Sequence, residues 1–328
     1  MATLRAGLVG VGMMGRHHAR VLRSLEGVDL VGVADAGGDP HGVAGGLELH
    51  QDIDGLLGMG LDYVVIAVPT ALHEEFALKA AAAGVHALVE KPLAPSPEAA
   101  ARVAAAFTDA GLVGAVGHIE RYNPALQQLR SRLEQGDLGE MYQVVTRRQG
   151  PFPARIADVG VVKDLATHDI DLTAWVTQSN YASVSAQAGH KSGREHEDLI
   201  AVTGRLHNDA VVNHLVNWLS PIKERVSVVT GERGAFVADT LTADLYFYSN
   251  GTVATEWDTV AGFRGVSEGN MVRYAFAKPE PLKVEHEAFR DAVLGLESDI
   301  VTMEHGLNTV TVAEAVLESA RTNTTIRL

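Results

Sequence analysis

The chain has 328 residues, 46% apolar and 21% charged, a globular mixture that excludes a disordered polymer and is too long for one typical core. Lys and Arg total 27 against 41 Asp and Glu, a net charge of -14, which argues against a nucleic-acid backbone as main partner but leaves room for a small anion held by a few local cations. The absence of cysteine excludes disulfides, thiolate catalysis and cysteine-ligated zinc; with no leader-like start and no apolar run near the ~20 residues of a membrane helix, a cytoplasmic protein with no membrane partner is expected.

The first 120 residues alternate short Val-, Ile-, Ala- and Gly-rich runs with helical patterns. Runs at 6–9, 30–34, 63–68, 87–89 and 114–117 read as strands buried on both faces, as in parallel sheets. Helices are predicted near 16–25, 73–83 and 97–110, the last with Ser96 at its N-cap, Pro97 in its first turn and Gly111 past its end. Strand–helix repetition implies right-handed crossovers and a doubly wound sheet. The rhythm then changes. After a helix at 124–135, strands are predicted at 141–148, 184–188, 199–206, 211–218, 225–230, 235–239 and 245–248, several separated by Gly-, Asn- and Asp-containing turns. A helix at 164–176 interrupts them, and helical patterns near 284–294 and 303–322 close the chain. The fold class is therefore α/β: a Rossmann doubly wound parallel sheet in residues 1–120, and an α+β domain with a large, mainly antiparallel sheet in 121–328, its C-terminal helix free to pack back on the first domain.

Gly10-Val11-Gly12-Met13-Met14-Gly15 fits G-x-G-x-x-G. The pattern alone is weak in a chain with 33 glycines, but here it follows a strand, opens a helix and precedes Asp35, 20 residues after Gly15, at the end of the next strand. Gly10 permits the tight turn, Gly12 lets backbone N–H groups approach a pyrophosphate, Gly15 allows close helix–sheet packing, and the helix N-terminus favours the phosphate charge. Asp35 suits a ribose diol and repels a 2′-phosphate, so NAD is expected over NADP. His17 and His18 lie in the first helix and read as surface or packing residues.

Ligands of open α/β sheets bind beyond the C-terminal strand ends, where Pro69 and Thr70 follow one strand and Glu90-Lys91-Pro92 another. These four residues, Pro69, Thr70, Glu90 and Lys91, join the glycine turn and Asp35 as the candidate cofactor-binding set. A lysine at such an end can hydrogen-bond a substrate hydroxyl, although a lone lysine is more often a solvated charge. The glycine turn, the Glu-Lys-Pro step, the antiparallel second half and the closing Glu318-Ser319-Ala320-Arg321-Thr322 together resemble the glucose–fructose oxidoreductase / inositol dehydrogenase (Gfo/Idh/MocA) family over almost the whole chain. The resemblance implies hydride transfer between NAD and a hydroxyl, with Lys91, Asp164 and His168 as the catalytic group and a histidine in the base role. The spacing agrees: Asp164 and His168 stand at i and i+4, one face of a helix, and an imidazole titrates near neutrality. Asp169 and Asp171 match helix-flank positions and read as solvated or capping. Two ligands are too few for a metal, and none is expected.

The substrate signal lies in two runs. His118, Arg121, Tyr122 and Asn123 come from one, residues 117–124; Arg148 and Arg155 come from the other, residues 147–156, which also carries Arg147, and Lys163 comes from the stretch 158–164 just after it. They resemble a branch of that family that oxidises the 3-hydroxyl of UDP-N-acetylglucosamine or related UDP-sugars. Arginines near the catalytic helix of an acidic protein suit a pyrophosphate, although they equally suit ion pairs with its many acids. The alternatives are an inositol or polyol dehydrogenase and a non-catalytic NAD-binding sensor. A sheet with one helix-covered face leaves the other free, so a homodimer or homotetramer is expected, with the strand at 211–218 as a candidate interface element.

Overall fold

The computed structural model describes residues 3–152, 159–251, 253–254 and 267–328, with 253–254 and 267–268 by their backbone. The chain divides into two compact units, one of Met1–Ile119 with Pro279–Glu314, the other of Glu120–Lys278 with Ala315–Leu328.

The first unit runs β1 (Leu4–Val9), α1 (Met13–Ser24), β2 (Val28–Ala34), β3 (Leu49–His50), α2 (Ile53–Leu57), β4 (Tyr63–Ile66), α3 (His73–Ala82), β5 (His86–Glu90), α4 (Pro97–Asp109) and β6 (Gly114–Gly117). Its strands form one parallel sheet in the order β3-β2-β1-β4-β5-β6. This is the doubly wound arrangement expected. All four residues of β4 are fully buried, which explains why the strand reads as an unbroken apolar run. The order reverses beside β1, which pairs with β2 on one side and β4 on the other, so the C-terminal ends of these strands open the crevice where such folds bind ligands. α4 has the predicted ends: the Ser96 hydroxyl accepts from the Ala99 N–H at 3.3 Å, and Gly111 follows with φ +64°.

Two elements differ from expectation. β3 and α2 are too short to show periodicity, although Asp52 marks the start of α2 by accepting the Gly55 N–H at 2.9 Å. Residues near the C-terminus complete this unit. In the helix Pro281–Val293, Phe289 is buried and packs edge-to-face on Tyr63 at 5.3 Å, while Thr302 bridges Ala115 beside β6.

The second unit contains α5 (Pro124–Glu134), β7 (Met141–Pro151), a π-helical turn (Val162–Ala166) leading into α6 (Thr167–Thr177), then β8 (Tyr181–Gly189), β9 (Leu199–Leu206), β10 (Val211–Asn217), β11 (Leu219–Gly231), β12 (Gly234–Asp239), β13 (Asp244–Ser249), β14 (Val253–Ala254), β15 (Ser267–Glu268), β16 (Met271–Arg273) and β17 (Ile326–Arg327). Nine strands form one sheet in the order β16-β13-β12-β11-β7-β10-β9-β8-β17, and β14 pairs with β15 apart from it. The sheet is antiparallel except where β7 and β10 run parallel, because α6 and two strands intervene between them in the chain. α5 and α6 pack on each other and on this sheet. Along β10 the residues Val212, His214 and Val216 are buried, whereas Leu215 between them is exposed. Among the described residues, no helix is long and apolar enough to cross a membrane.

A polar triad is sealed into the second unit. His214 Nδ1 lies 2.8 Å from the Thr146 hydroxyl, and Nε2 lies 2.8 Å from the Tyr181 hydroxyl. Burial opposes the charged ring and lowers its pKa to about 4. An unfolded histidine titrates near 6.5, so below that pH the unfolded chain takes up a proton that the folded chain refuses. The stabilisation from this ring is complete above pH 6.5 and is lost as pH falls toward 4, by up to about 3 kcal/mol. Urea unfolding at pH 7.5 and 4.5 should show a smaller acid loss in His214→Gln than in the parent; equal losses would contradict the assignment.

Candidate active site

The sequence-predicted site residues fall into two groups, one in each unit. In the first, the glycine turn joins β1 to α1. Gly10 adopts φ +90°, and a side chain there would collide with the Ala67 carbonyl; one at Gly15 would strike the Gly10 carbonyl. Gly12 differs, since an added Cβ would meet nothing within 4 Å. Its φ of -72° suits any residue, so neither packing nor backbone conformation requires glycine there. Gly12 is the N-cap of α1 and supplies no side-chain cap, and helix geometry leaves the next N–H groups without intrahelical partners. An uncapped helix start fronted by an open glycine is a cradle for an anion. The helix begins at Met13, three residues before the predicted start, because the glycine turn is itself the N-terminus.

Asp35 closes this cradle at the end of β2. One carboxylate oxygen accepts the Val11 N–H at 2.8 Å and the other the Gly37 N–H at 2.8 Å, which fixes the acid against the turn. Pro69 precedes a 3₁₀ turn, Thr70–Leu72, after β4. His73, which sequence reasoning passed over, ties the two strand ends together: Nδ1 lies 2.7 Å from the Pro92 carbonyl and Nε2 2.9 Å from that of Val68. Burial lowers the pKa of this ring, against the two carbonyls that favour its proton. Lys91 is half-buried at the end of β5, and its bond to Pro92 is cis. Glu90 turns inward to His18 at 2.8 Å. His118 is buried just after β6.

In the second unit, Asp164 lies in the π-helical turn and His168 in the first turn of α6, both half-buried. π turns inside helices recur at functional sites. Glu197 anchors this one from the loop before β9, its backbone carbonyl accepting the Val161 N–H at 3.0 Å and its carboxylate the Val162 N–H at 2.9 Å. A side chain at Gly160 would displace the Glu197 carboxylate, which occupies that space. Lys163 is half-buried in the same turn.

The arginines require correction. Arg148 is 3% exposed and donates to Asp169 at 3.0 Å and Glu120 at 2.8 Å, so it is a buried counter-ion and not an exposed phosphate ligand. Burial works against its charge, but Asp169 and Glu120 outweigh that and hold the guanidinium protonated. Arg121 grips Asp171 through two bonds of 2.8 and 2.7 Å, both partners buried. Asp169 and Asp171 are therefore neither solvated nor capping; they fasten α6 to β7 and to the segment before α5. Tyr122 is buried, and Asn123 caps α5 by accepting the Ala125 N–H at 3.0 Å. Arg147 pairs with Glu224 at 2.6 Å. Arg155 lies outside the described residues. Among those described, no group of three or more His, Asp or Glu is placed to hold a metal.

The two glycines give a direct test of the cradle. Gly12→Ala should cost less than about 1 kcal/mol of stability and yet weaken NAD binding at least about tenfold by filling the approach to the helix N–H groups. Gly15→Ala should destabilise the fold by about 1–3 kcal/mol, since the collision is with backbone. Thermal unfolding and calorimetric titration separate the two effects; unchanged NAD affinity in Gly12→Ala would remove the turn from the binding site.

Comparison with known proteins identifies the family of both units. Residues 4–118 match the model of an oxidoreductase family with an NAD-binding Rossmann fold, and residues 126–237 match the GFO/IDH/MocA C-terminal domain. The chain is 32% identical over 298 residues to UDP-N-acetylglucosamine 3-dehydrogenase of Acidithiobacillus ferrooxidans, covering 89% of this chain and 90% of that one. The solved structure of that enzyme superposes with a TM-score of 0.85 over 98% of this chain and 99% of the other, at 27% identity. The WlbA dehydrogenase of Bordetella pertussis, solved with NADH and UDP-GlcNAcA, gives a TM-score of 0.80 at 25% identity over 99% of both chains. Inositol 2-dehydrogenase 2 of Saccharopolyspora erythraea is 33% identical over 205 residues, 60% of each chain. The chain belongs to the Gfo/Idh/MocA family of oxidoreductases, with an NAD-binding Rossmann unit.

Proposed function

We propose that the protein oxidises a secondary hydroxyl of a nucleotide-sugar, the 3-hydroxyl of UDP-N-acetylglucosamine, with NAD as the hydride acceptor. The observation that carries this reading is the extent of likeness: a UDP-N-acetylglucosamine 3-dehydrogenase matches over 89% of the chain, through both units, whereas the inositol 2-dehydrogenase matches over 60%. NAD is preferred to NADP because the Asp35 carboxylate, pinned at the cradle by two N–H groups, repels a 2′-phosphate.

Bound NAD supplies the acceptor for the hydride leaving the sugar carbon. The remaining work belongs to side chains. His168 takes the proton of the hydroxyl, Lys91 donates a hydrogen bond to the same oxygen, and Asp164 orients the pair from one turn before. Loss of hydride and proton turns the secondary alcohol into a ketone. Lys163 and Arg155 are further cations of the segment proposed to meet a diphosphate. The nine-stranded sheet, with Leu215 exposed on β10, supplies the surface for a homodimer or homotetramer.

A free polyol such as an inositol is the second reading. It is favoured by the burial of Arg148, which withdraws one of the arginines expected to meet a diphosphate.

The Lys91→Ala and His168→Ala variants should keep fold and NAD affinity and lose about 10²–10⁴-fold in kcat. A loss of thermal stability in step with the loss of rate would mark the residue as structural. The substrate is settled by comparing UDP-N-acetylglucosamine, N-acetylglucosamine and myo-inositol in NADH formation. The nucleotide-sugar should give the highest kcat as well as kcat/KM, because binding energy from the remote diphosphate positions the reacting carbon. Faster turnover of either free compound would replace the first reading with the second.

A further inference from the structure

Behind β5 lies a chain of buried titratable groups that the proposed chemistry leaves unused. His18 is fully buried on the inner stripe of α1. Its Nε2 lies 2.8 Å from Oε1 of Glu90, and its Nδ1 lies 2.9 Å from Nε2 of His286, itself fully buried in the helix Pro281–Val293. The second oxygen of Glu90 accepts the backbone N–H of Lys91 at 3.1 Å. The chain of contacts thus runs from the core of the first unit to the peptide of Lys91.

Its polarity follows from charge. Burial works to neutralise Glu90, but the hydrogen bond from His18 and the charges of His18 and Lys91 outweigh it and hold the carboxyl below its usual range. An ionised carboxylate only accepts, so His18 donates through Nε2. His18 Nδ1 and His286 Nε2 share a hydrogen bond on the other side of the ring, and among the described residues the far nitrogen of His286 has no partner. Burial, and then the proximity of His18, hold His286 well below the usual imidazole range. Glu285 beside it is 1% exposed with neither oxygen partnered, and burial, then Glu90, push its carboxyl well up. Of the two acids, burial thus favours the neutral form of Glu285, while hydrogen bonding and nearby charge favour the anion of Glu90. The chain ends at His286, fully buried in the core. A proton conduit needs an exit to water at its far end, whereas an orienting device needs only fixed donors.

We propose that His286 and His18 are positioning residues for Lys91: they fix the Glu90 carboxylate, which in turn holds the peptide and side-chain charge of Lys91 at the end of β5. The assignment rests on Lys91 acting in the reaction, and it takes Glu90 out of the direct cofactor contacts expected of it.

The test is a double-mutant cycle on the full-length protein, with NAD and the best substrate of the panel. Glu90→Gln preserves shape and an acceptor for His18 while removing the charge; His18→Asn shortens the donor. With Lys91 present, each should lower kcat about 10–100-fold while both KM values stay within about threefold. In a Lys91→Ala background, each should lower kcat by less than about twofold, because the group being positioned has gone. Equal losses in the two backgrounds, or no loss with Lys91 present, would overturn the positioning role. Should His18→Asn fail to fold, the Glu90→Gln arm of the cycle decides alone. A Lys91→Ala variant at full rate would instead overturn the catalytic reading of Lys91 itself, so the two failures are distinguishable.

Discussion

An α-helix leaves its first N–H groups without intrahelical partners, and α1 adds no capping side chain to satisfy them. That unmet donor capacity sits at the reversal of strand order beside β1, where a parallel sheet opens a crevice. The surrounding sequence is arranged to keep it available. Gly10 and Gly15 bring strand, turn and helix into contact distances that no side chain tolerates, and Gly12 keeps the approach open although packing does not require it. Asp35 is fixed against the same turn through Val11, so the acid proposed to discriminate the ribose is placed by the backbone of the glycine turn itself.

The second unit solves a different problem, that of burying charge. A carboxylate removed from water destabilises the fold unless a partner lies within hydrogen-bond reach, and α6 carries two such acids on its inner side. Arg148 from β7 and Arg121 ahead of α5 answer Asp169 and Asp171. Removing either arginine would leave an uncompensated buried anion, so these pairs define where α6 sits more than they add net stability. The helix start that carries Asp164 and His168 is thereby placed by ion pairs on its inner side and by Glu197 at its N-terminal end. The neutral triad of Thr146, His214 and Tyr181 completes the polar accounting beneath it.

Much of this was legible in the chain. Buried parallel strands read as continuous apolar runs, the glycine turn carries its own spacing, and the Ser96, Pro97 and Gly111 punctuation of α4 has a local mechanism. What stayed hidden depends on distance along the chain. Arg121 and Asp171 are 50 residues apart and His18 and His286 are 268 apart, so no local pattern pairs them. The parallel contact of β7 with β10 likewise depends on a crossover. One signal was available, however. Leu282, Glu285, His286 and Phe289 follow the i, i+3, i+4, i+7 spacing of a buried helical stripe, and an acid and an imidazole on such a stripe announce a buried polar cluster. His18 stands in the same way among Gly15, Ala19 and Leu22.

The central claim is that hydride passes from a sugar carbon to NAD held at the glycine turn. It is tested most directly with UDP-N-acetylglucosamine deuterated at carbon 3, incubated with the protein and NAD, and the reduced cofactor weighed by mass spectrometry. The account predicts NADH carrying one deuterium together with a 3-keto sugar nucleotide. NADH without deuterium, or none formed from this substrate, would contradict it.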